Sequence, residues 1–176
     1  MSEDCGDVRV RRRRGAALIG RGSPRVRLSP LVGHTRGTAL HTTQDFIRDL
    51  LTKTHTWAVV GCSPDPRRAS HRVARVLQHS GFRVIPVNPH VEQLLGERCY
   101  PRLTDIPARE GVEVVDIFRR ADQAGVHVDE AIEIDACAIW MQLGVVDEAA
   151  AQRALAAGLL VVMDRCPAIE LPRLAV

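Results

Sequence analysis

Five short apolar runs of strand length constrain the fold most: "WAVVGC" (57–62), "FRVIPVN" (82–88), "VEVVDIF" (112–118), "CAIWMQL" (137–143) and "LLVVM" (159–163). A run with no solvent-facing alternation suits a strand buried on both faces, as in a parallel sheet covered by helices. The first run is continuously apolar, so it should lie centrally. Between the runs the spacing turns helical. Ser70 is a good N-cap, Val73, Ala74 and Leu77 share a face, and Gly81 stands where a left-handed C-terminal residue is wanted. A later helix carries Ala124, Val128, Ala131 and Ile132 on one stripe, and the last runs from an N-cap at Asp147 to Gly158. Ahead of the first run, "TTQDFIRDLLTKT" has Thr42 and Asp45 at capping-box spacing and Phe46, Ile47, Leu50 and Leu51 on one side. Buried strands alternating with crossover helices predict an α/β fold: a doubly wound, mainly parallel Rossmann-like sheet with helices on both faces.

The chain has 176 residues, 45% of them hydrophobic, which suits one core-bearing domain, placed at residues 41–176. Residues 1–40 read as a separate, disordered basic tail rich in Arg, Gly, Ser and Pro, with nine Arg against three acids. The remainder has fifteen Lys and Arg against eighteen acids. The tail is either a solvated segment or a weak contact for polyanions. A start at a codon other than Met is a further reading, since no Met stands between Met1 and Met141. Aromatic residues make up only 3%, too few to serve as stacking platforms, so specific nucleic-acid binding is disfavoured. The longest apolar run, "ACAIWMQLGVV", is too short to span a bilayer, and the segment behind "RRRR" is too short for an export signal. A cytoplasmic location is expected. Five cysteines without a CxxC pair predict reduced thiols, with neither a disulfide framework nor a zinc site. His71, His79 and His90 lack metal-ligand spacing.

Ligands of doubly wound sheets lie outside the carboxyl ends of the strands, so the residues after each strand carry the functional expectation. In "GCSPDPRRAS", Gly61 and Ser63 leave a strand and Ser70 opens a helix, where N–H groups and the helix dipole favour an anion. Arg67 and Arg68 add positive charge there or are simply solvated. An NAD site would place an acid after the second strand, whereas this chain has Asn88 and Pro89, and the full GxGxxG is missing. Cys62 sits among N–H groups and arginines that would lower a thiol pKa, or else is a small residue fitting a tight turn. Cys166 in "DRCP" is a second strand-exit thiol or a packing residue. Asp116 reads as a buried carboxylate that could take backbone N–H groups. Trp140 reads as core, and Gln142, on the same strand face, as the better ligand candidate.

The segments "VVGCSPDPRRASHRVARVL", "GFRVIPVNP", "VVDIFRR", "IWMQLGVV" and "VVMDRCP", in this order, resemble the signatures of the small CoA-binding-domain proteins. That family is similar to the nucleotide-binding domain in the alpha subunit of succinyl-CoA synthetase. The resemblance covers residues 42–174 and implies coenzyme A or an acyl-CoA as ligand. It implies that Gly61, Cys62, Ser63 and Ser70 hold phosphate and that Asn88 and Pro89 border the adenosine. Phe118, Arg119 and Arg120 would line the cleft, and Gln142, Leu143 and Gly144 would close its far side. The phosphorylated histidine domain and grasping partner of the larger ligases have no counterpart here, which implies binding without catalysis. The alternatives are an NAD(P)-binding oxidoreductase and an acyl-CoA-responsive regulatory protein. Asp135 replaces the glycine common in the turn before the fourth strand, and Asp tolerates left-handed backbone.

Overall fold

The computed structural model describes residues 44–174; the basic segment 1–40 and Thr42 lie outside the described residues. Helix α1 (Gln44–Lys53) turns Ile47, Leu50 and Leu51 inward. The Thr54 hydroxyl closes it by donating to the Leu50 carbonyl at 2.6 Å while accepting from Trp57 Nε1 at 2.9 Å. Strand β1 (Thr56–Val60) follows, then α2 (Ala69–His79) and β2 (Arg83–Val87). A small hairpin, β3 (Gln93–Leu94) with β4 (Glu97–Arg98), and two 3-10 turns lead to β5 (Val114–Ile117). The chain then alternates through α3 (Ala121–Glu133), β6 (Ala138–Met141), α4 (Glu148–Ala156), β7 (Leu160–Val162) and α5 (Pro167–Leu174).

All five expected strands form one sheet, in the order β2-β1-β5-β6-β7. Every pairing in it is parallel, with Val60 opposite both Val87 and Ile117. The chain leaves β1 outward to β2, then crosses back to β5 and continues the other way. The switch of direction therefore falls between β1 and β5, with β1 flanked on both sides as its apolar run predicts.

Side-chain alternation along the strands builds two cores. Ala58, Val60, Ile85, Val115, Ile117, Ile139 and Met141 face α3 and α4, which approach through Ala124, Ala131, Ala150, Ala151 and Ala154. Trp57, Val59, Val84, Trp140 and Val162 face the opposite layer, where Ile47, Leu50, Val73, Ala74 and Leu77 pack. Trp57 and Trp140 are fully buried with ring centroids 5.5 Å apart, a contact worth about 0.5–1.5 kcal/mol beyond area burial. Trp140 is thus a core residue, and its Nε1 donates to the Arg165 carbonyl at 2.8 Å.

Left-handed residues mark several of the boundaries between elements. Gly61 (φ +77) stops β1, Gly81 (φ +93) and Gly158 (φ +89) end helices as their positions predict, and Asp135 adopts φ +59 in its turn. Asp147 caps α4 as expected, accepting from the Ala150 N–H at 2.9 Å. Ser70 corrects the expectation of an N-cap. The cap position of α2 is Arg68, without a side-chain cap, and Ser70 is the second residue of the helix. Its hydroxyl accepts from the Ser63 N–H at 3.1 Å, so the loop folding back over the helix takes the oxygen that capping would have used.

Candidate functional site

Glycine at 61 is a steric requirement. A Cβ there would sit 2.5 Å from the Phe118 carbonyl oxygen and 3.5 Å from Arg119 Cδ. The β1 and β5 exits are thus packed backbone to backbone, with the Arg119 stem across the glycine. The ladder continues through this point, since Phe118 N–H donates to the Val60 carbonyl and Gly61 N–H to the Val87 carbonyl, both at 2.9 Å. Only a residue without a side chain allows that approach at positive φ.

The loop after β1 is held by its own polar groups. Ser63 supplies its N–H to Ser70, its hydroxyl accepts from the Asp65 N–H at 3.1 Å, and its carbonyl meets His71 Nδ1 at 2.8 Å. Asp65 accepts from the Arg67 N–H and from Nε and Nη2 of Arg67, each at 3.0 Å. The Arg67 guanidinium holds the Asp65 carboxyl below its ordinary range. Arg67 is therefore already neutralised within the loop, whereas no ion pair engages the exposed Arg68 among the described residues.

Asn88 joins the β2 exit to this loop. Its Nδ2 donates to the Cys62 carbonyl at 2.7 Å, its Oδ1 accepts from the His90 N–H at 2.9 Å, and its own N–H donates to Tyr100 at 2.8 Å. Both ends of the amide are thus spent on backbone. Tyr100 extends the sheet by bridging Val87. Pro89 is exposed and, with His90, Val91, Arg98 and Pro101, lines a groove of about 700 Å³ against the hairpin. No sequence signal singled out this hairpin: its turn puts Leu95 (φ +56) and Gly96 (φ +80) in left-handed backbone. Leucine is a poor residue for that conformation, and the tertiary bond from Gln78 Nε2 to the Leu95 carbonyl at 3.0 Å helps hold it.

Charge at the helix starts distinguishes α2 from the other four α-helices. Asp45, Asp122, Glu148 and Glu170 stand in the first turns of α1, α3, α4 and α5. The first turn of α2 has no acid, and its cap residue offers no side-chain acceptor. Its first turn is left without a carboxylate, and the one carboxylate of the preceding loop, Asp65, is paired with Arg67, so the helix dipole can receive an anion. At the β5 exit, against Gly61, the Arg119 Nε is buried and has no hydrogen-bond partner among the described residues. Arg120 behaves differently, pairing in the open with Asp122 at 2.8 Å.

The remaining candidates are drawn into the protein. Gln142 Nε2 donates to both oxygens of Asp116, at 2.8 and 3.0 Å, and both residues are buried. Asp116 thus takes a side-chain amide, where backbone N–H groups were expected, because its place inside the sheet faces β6. Burial pushes its pKa up to about 8, partly opposed by the Gln142 bond. Leu143 is 57% exposed at the rim, and the Gly144 N–H donates to Asp164 Oδ1 at 2.8 Å. Among the described residues no group of His, Cys, Asp and Glu has the arrangement of a metal site, and no helix is long and apolar enough to cross a membrane.

Cys62 reverses its sequence expectation. Its side chain is fully buried, and burial, with Cys99 and Asp116 nearby, pushes the thiol up to about 12. The arginines that would favour thiolate lie on the exposed side of the loop, while Sγ points into the core. Burial also raises Cys166, which packs in the same core.

A protein-family model described as the CoA binding domain matches residues 55–172. The uncharacterized protein YneT of Bacillus subtilis (strain 168) is 37% identical over 120 residues, covering 68% of this chain and 87% of YneT. A hypothetical protein from Pyrococcus horikoshii OT3 has a similar structure, with a TM-score of 0.74 and 36% identity across 81% of this chain and 99% of that one. The apo dinucleotide-forming acetyl-coenzyme A synthetase 1 of Ca. Korarchaeum cryptofilum is 25% identical, with a TM-score of 0.57, and the similarity covers 66% of this chain but 27% of the synthetase. The family match runs through all five strand exits, including the Gly61 turn and the acid-free start of α2, and on that basis this chain belongs to the CoA binding domain family.

Proposed function

We propose that the protein binds coenzyme A or an acyl-CoA across the carboxyl ends of β1, β2, β5 and β6 and holds it without transforming it. The observation that carries this reading is the start of α2 after the Gly61 turn, with neither cap side chain nor acid in its first turn, together with a buried arginine nitrogen against Gly61 that lacks a partner among the described residues. Both features fit a phosphate-bearing ligand. In this reading Gly61, Cys62, Ser63 and Ser70 form the phosphate turn through backbone and hydroxyl groups, with Arg67 and Arg68 at its rim. Asn88 and Pro89 border the adenosine, Phe118, Arg119 and Arg120 line the cleft, and Gln142, Leu143 and Gly144 bound it on the far side.

Asn88 supports coenzyme A over a nicotinamide dinucleotide. It stands where a ribose-binding acid would be, and its amide is committed to Cys62 and His90. Binding without chemistry is supported by Cys62 and Asp116, whose burial disfavours the charged forms that a nucleophile or base would use. The setting proposed is cytoplasmic, with residues 41–176 as the binding domain.

Isothermal titration calorimetry with CoA, acetyl-CoA, NAD and NADP tests the reading. Saturable heat with CoA or acetyl-CoA and none with the nicotinamide nucleotides is expected. Silence with both CoA species would overturn it, and preferential binding of NAD or NADP would favour the oxidoreductase alternative.

A further inference from the structure

Five arginines lie in or beside the β1 and β5 exits, and the structure separates them by what already occupies their guanidinium groups. Arg67 is bidentate to Asp65, Arg120 is paired with Asp122, and Arg72 Nη1 donates to the Arg67 carbonyl. Arg68 is exposed. Arg119 differs from all of them: its stem crosses Gly61, its side chain is half-buried, and its Nε is buried without a partner among the described residues. A buried N–H donor of a permanent cation carries a desolvation cost unless an acceptor meets it. The start of α2, with no acid in its first turn and no side-chain cap, offers further N–H donors to an anion.

We propose that Arg119 is the side chain that anchors the diphosphate of the bound nucleotide, and that Arg67 is a loop-structuring residue. This rests on the reading of the site as a CoA site. The diphosphate is the part of such a ligand that belongs at a helix start on the switch point. A guanidinium fork matches its oxygens better than a point charge does.

The test is calorimetry with CoA, dephospho-CoA and pantetheine on the full chain and three variants, with folding checked by circular dichroism. Arg119→Gln should lose about tenfold or more in affinity for CoA and equally for dephospho-CoA, the size expected for a charge-assisted contact. It should leave any pantetheine binding unaltered. Arg75→Gln removes the same charge from an exposed position on α2 and should stay within about twofold, and Arg67→Gln should lose less than Arg119→Gln. A loss for Arg119→Gln no greater than for Arg75→Gln overturns the proposal, as does a loss confined to CoA, which would move the contact to the 3'-phosphate. Should Arg119→Gln not fold, Arg119→Lys decides: it should bind at least about threefold more weakly than the parent, and equal affinity overturns the proposal. Absence of CoA binding by the parent chain would instead overturn the CoA reading itself.

Discussion

The carbonyl oxygen of Phe118 occupies the space that any side chain at Gly61 would need, 2.5 Å from the position of a Cβ. Two strand exits are joined by that absence. Gly61→Ala should therefore destabilise the protein by at least about 1–2 kcal/mol, from the left-handed backbone alone, with separation of the exits adding to it. Urea denaturation would measure the loss, and calorimetry should show weaker CoA binding in the folded fraction. Gly81→Ala is the comparison: its φ is also positive, but nothing lies within 4 Å of its Cβ position, so it should cost stability and leave binding intact.

Asp116 makes stability depend on pH with an unusual sign. Its native pKa is raised to about 8 by burial, against about 3.9 for an unfolded Asp. Between these values the native state holds a proton that the unfolded chain has released, so stability falls as pH rises from about 4 to about 8. Asp116→Asn cannot ionise and keeps a polar partner for Gln142. Its stability relative to the parent should grow with pH, by on the order of 1 kcal/mol per pH unit within this window. Urea midpoints at several pH values between 5 and 8 check this, and parallel profiles for the two proteins would contradict it.

The buried Cys62 thiol should be almost inert in the folded protein. With its pKa pushed up to about 12, little thiolate exists at neutral pH and none of the side chain is exposed. Alkylation by a maleimide at pH 7.5 should be at least about a hundredfold slower at Cys62 than in the urea-unfolded chain. Cys137, only half-buried, should react first among the cysteines of the described residues. Peptide mapping by mass spectrometry over time separates the two, and rapid labelling of Cys62 in the native state would reinstate it as a reactive group.

Much of the site's address was readable from local chemistry. The apolar run at 57–62 marks the central strand, Gly61 ends it, and the loop behind it opens a helix, because strand burial and turn backbone are properties of adjacent residues. Asp147 and Gly158 bound α4 for the same reason. What failed depended on neighbours distant in sequence. Ser70 has a capping residue's chemistry, but its oxygen meets Ser63; Cys62 has activating neighbours in sequence, but its sulfur faces the core. Gln142 looked available until Asp116, twenty-six residues earlier, was found to take its amide.

The strand and helix alternation, the parallel doubly wound architecture and the glycine at the β1 exit are written in local sequence. Periodicity and backbone preference act over a few residues and survive without tertiary context. Which polar side chains are already bonded depends on packing between distant segments. It pairs Arg67 with Asp65 and Arg120 with Asp122, commits Asn88 to Cys62 and His90, and leaves the Arg119 Nε without a partner among the described residues. Hydrogen bonding is settled by which groups packing brings within about 3 Å and removes from water, and that is a property of the assembled sheet.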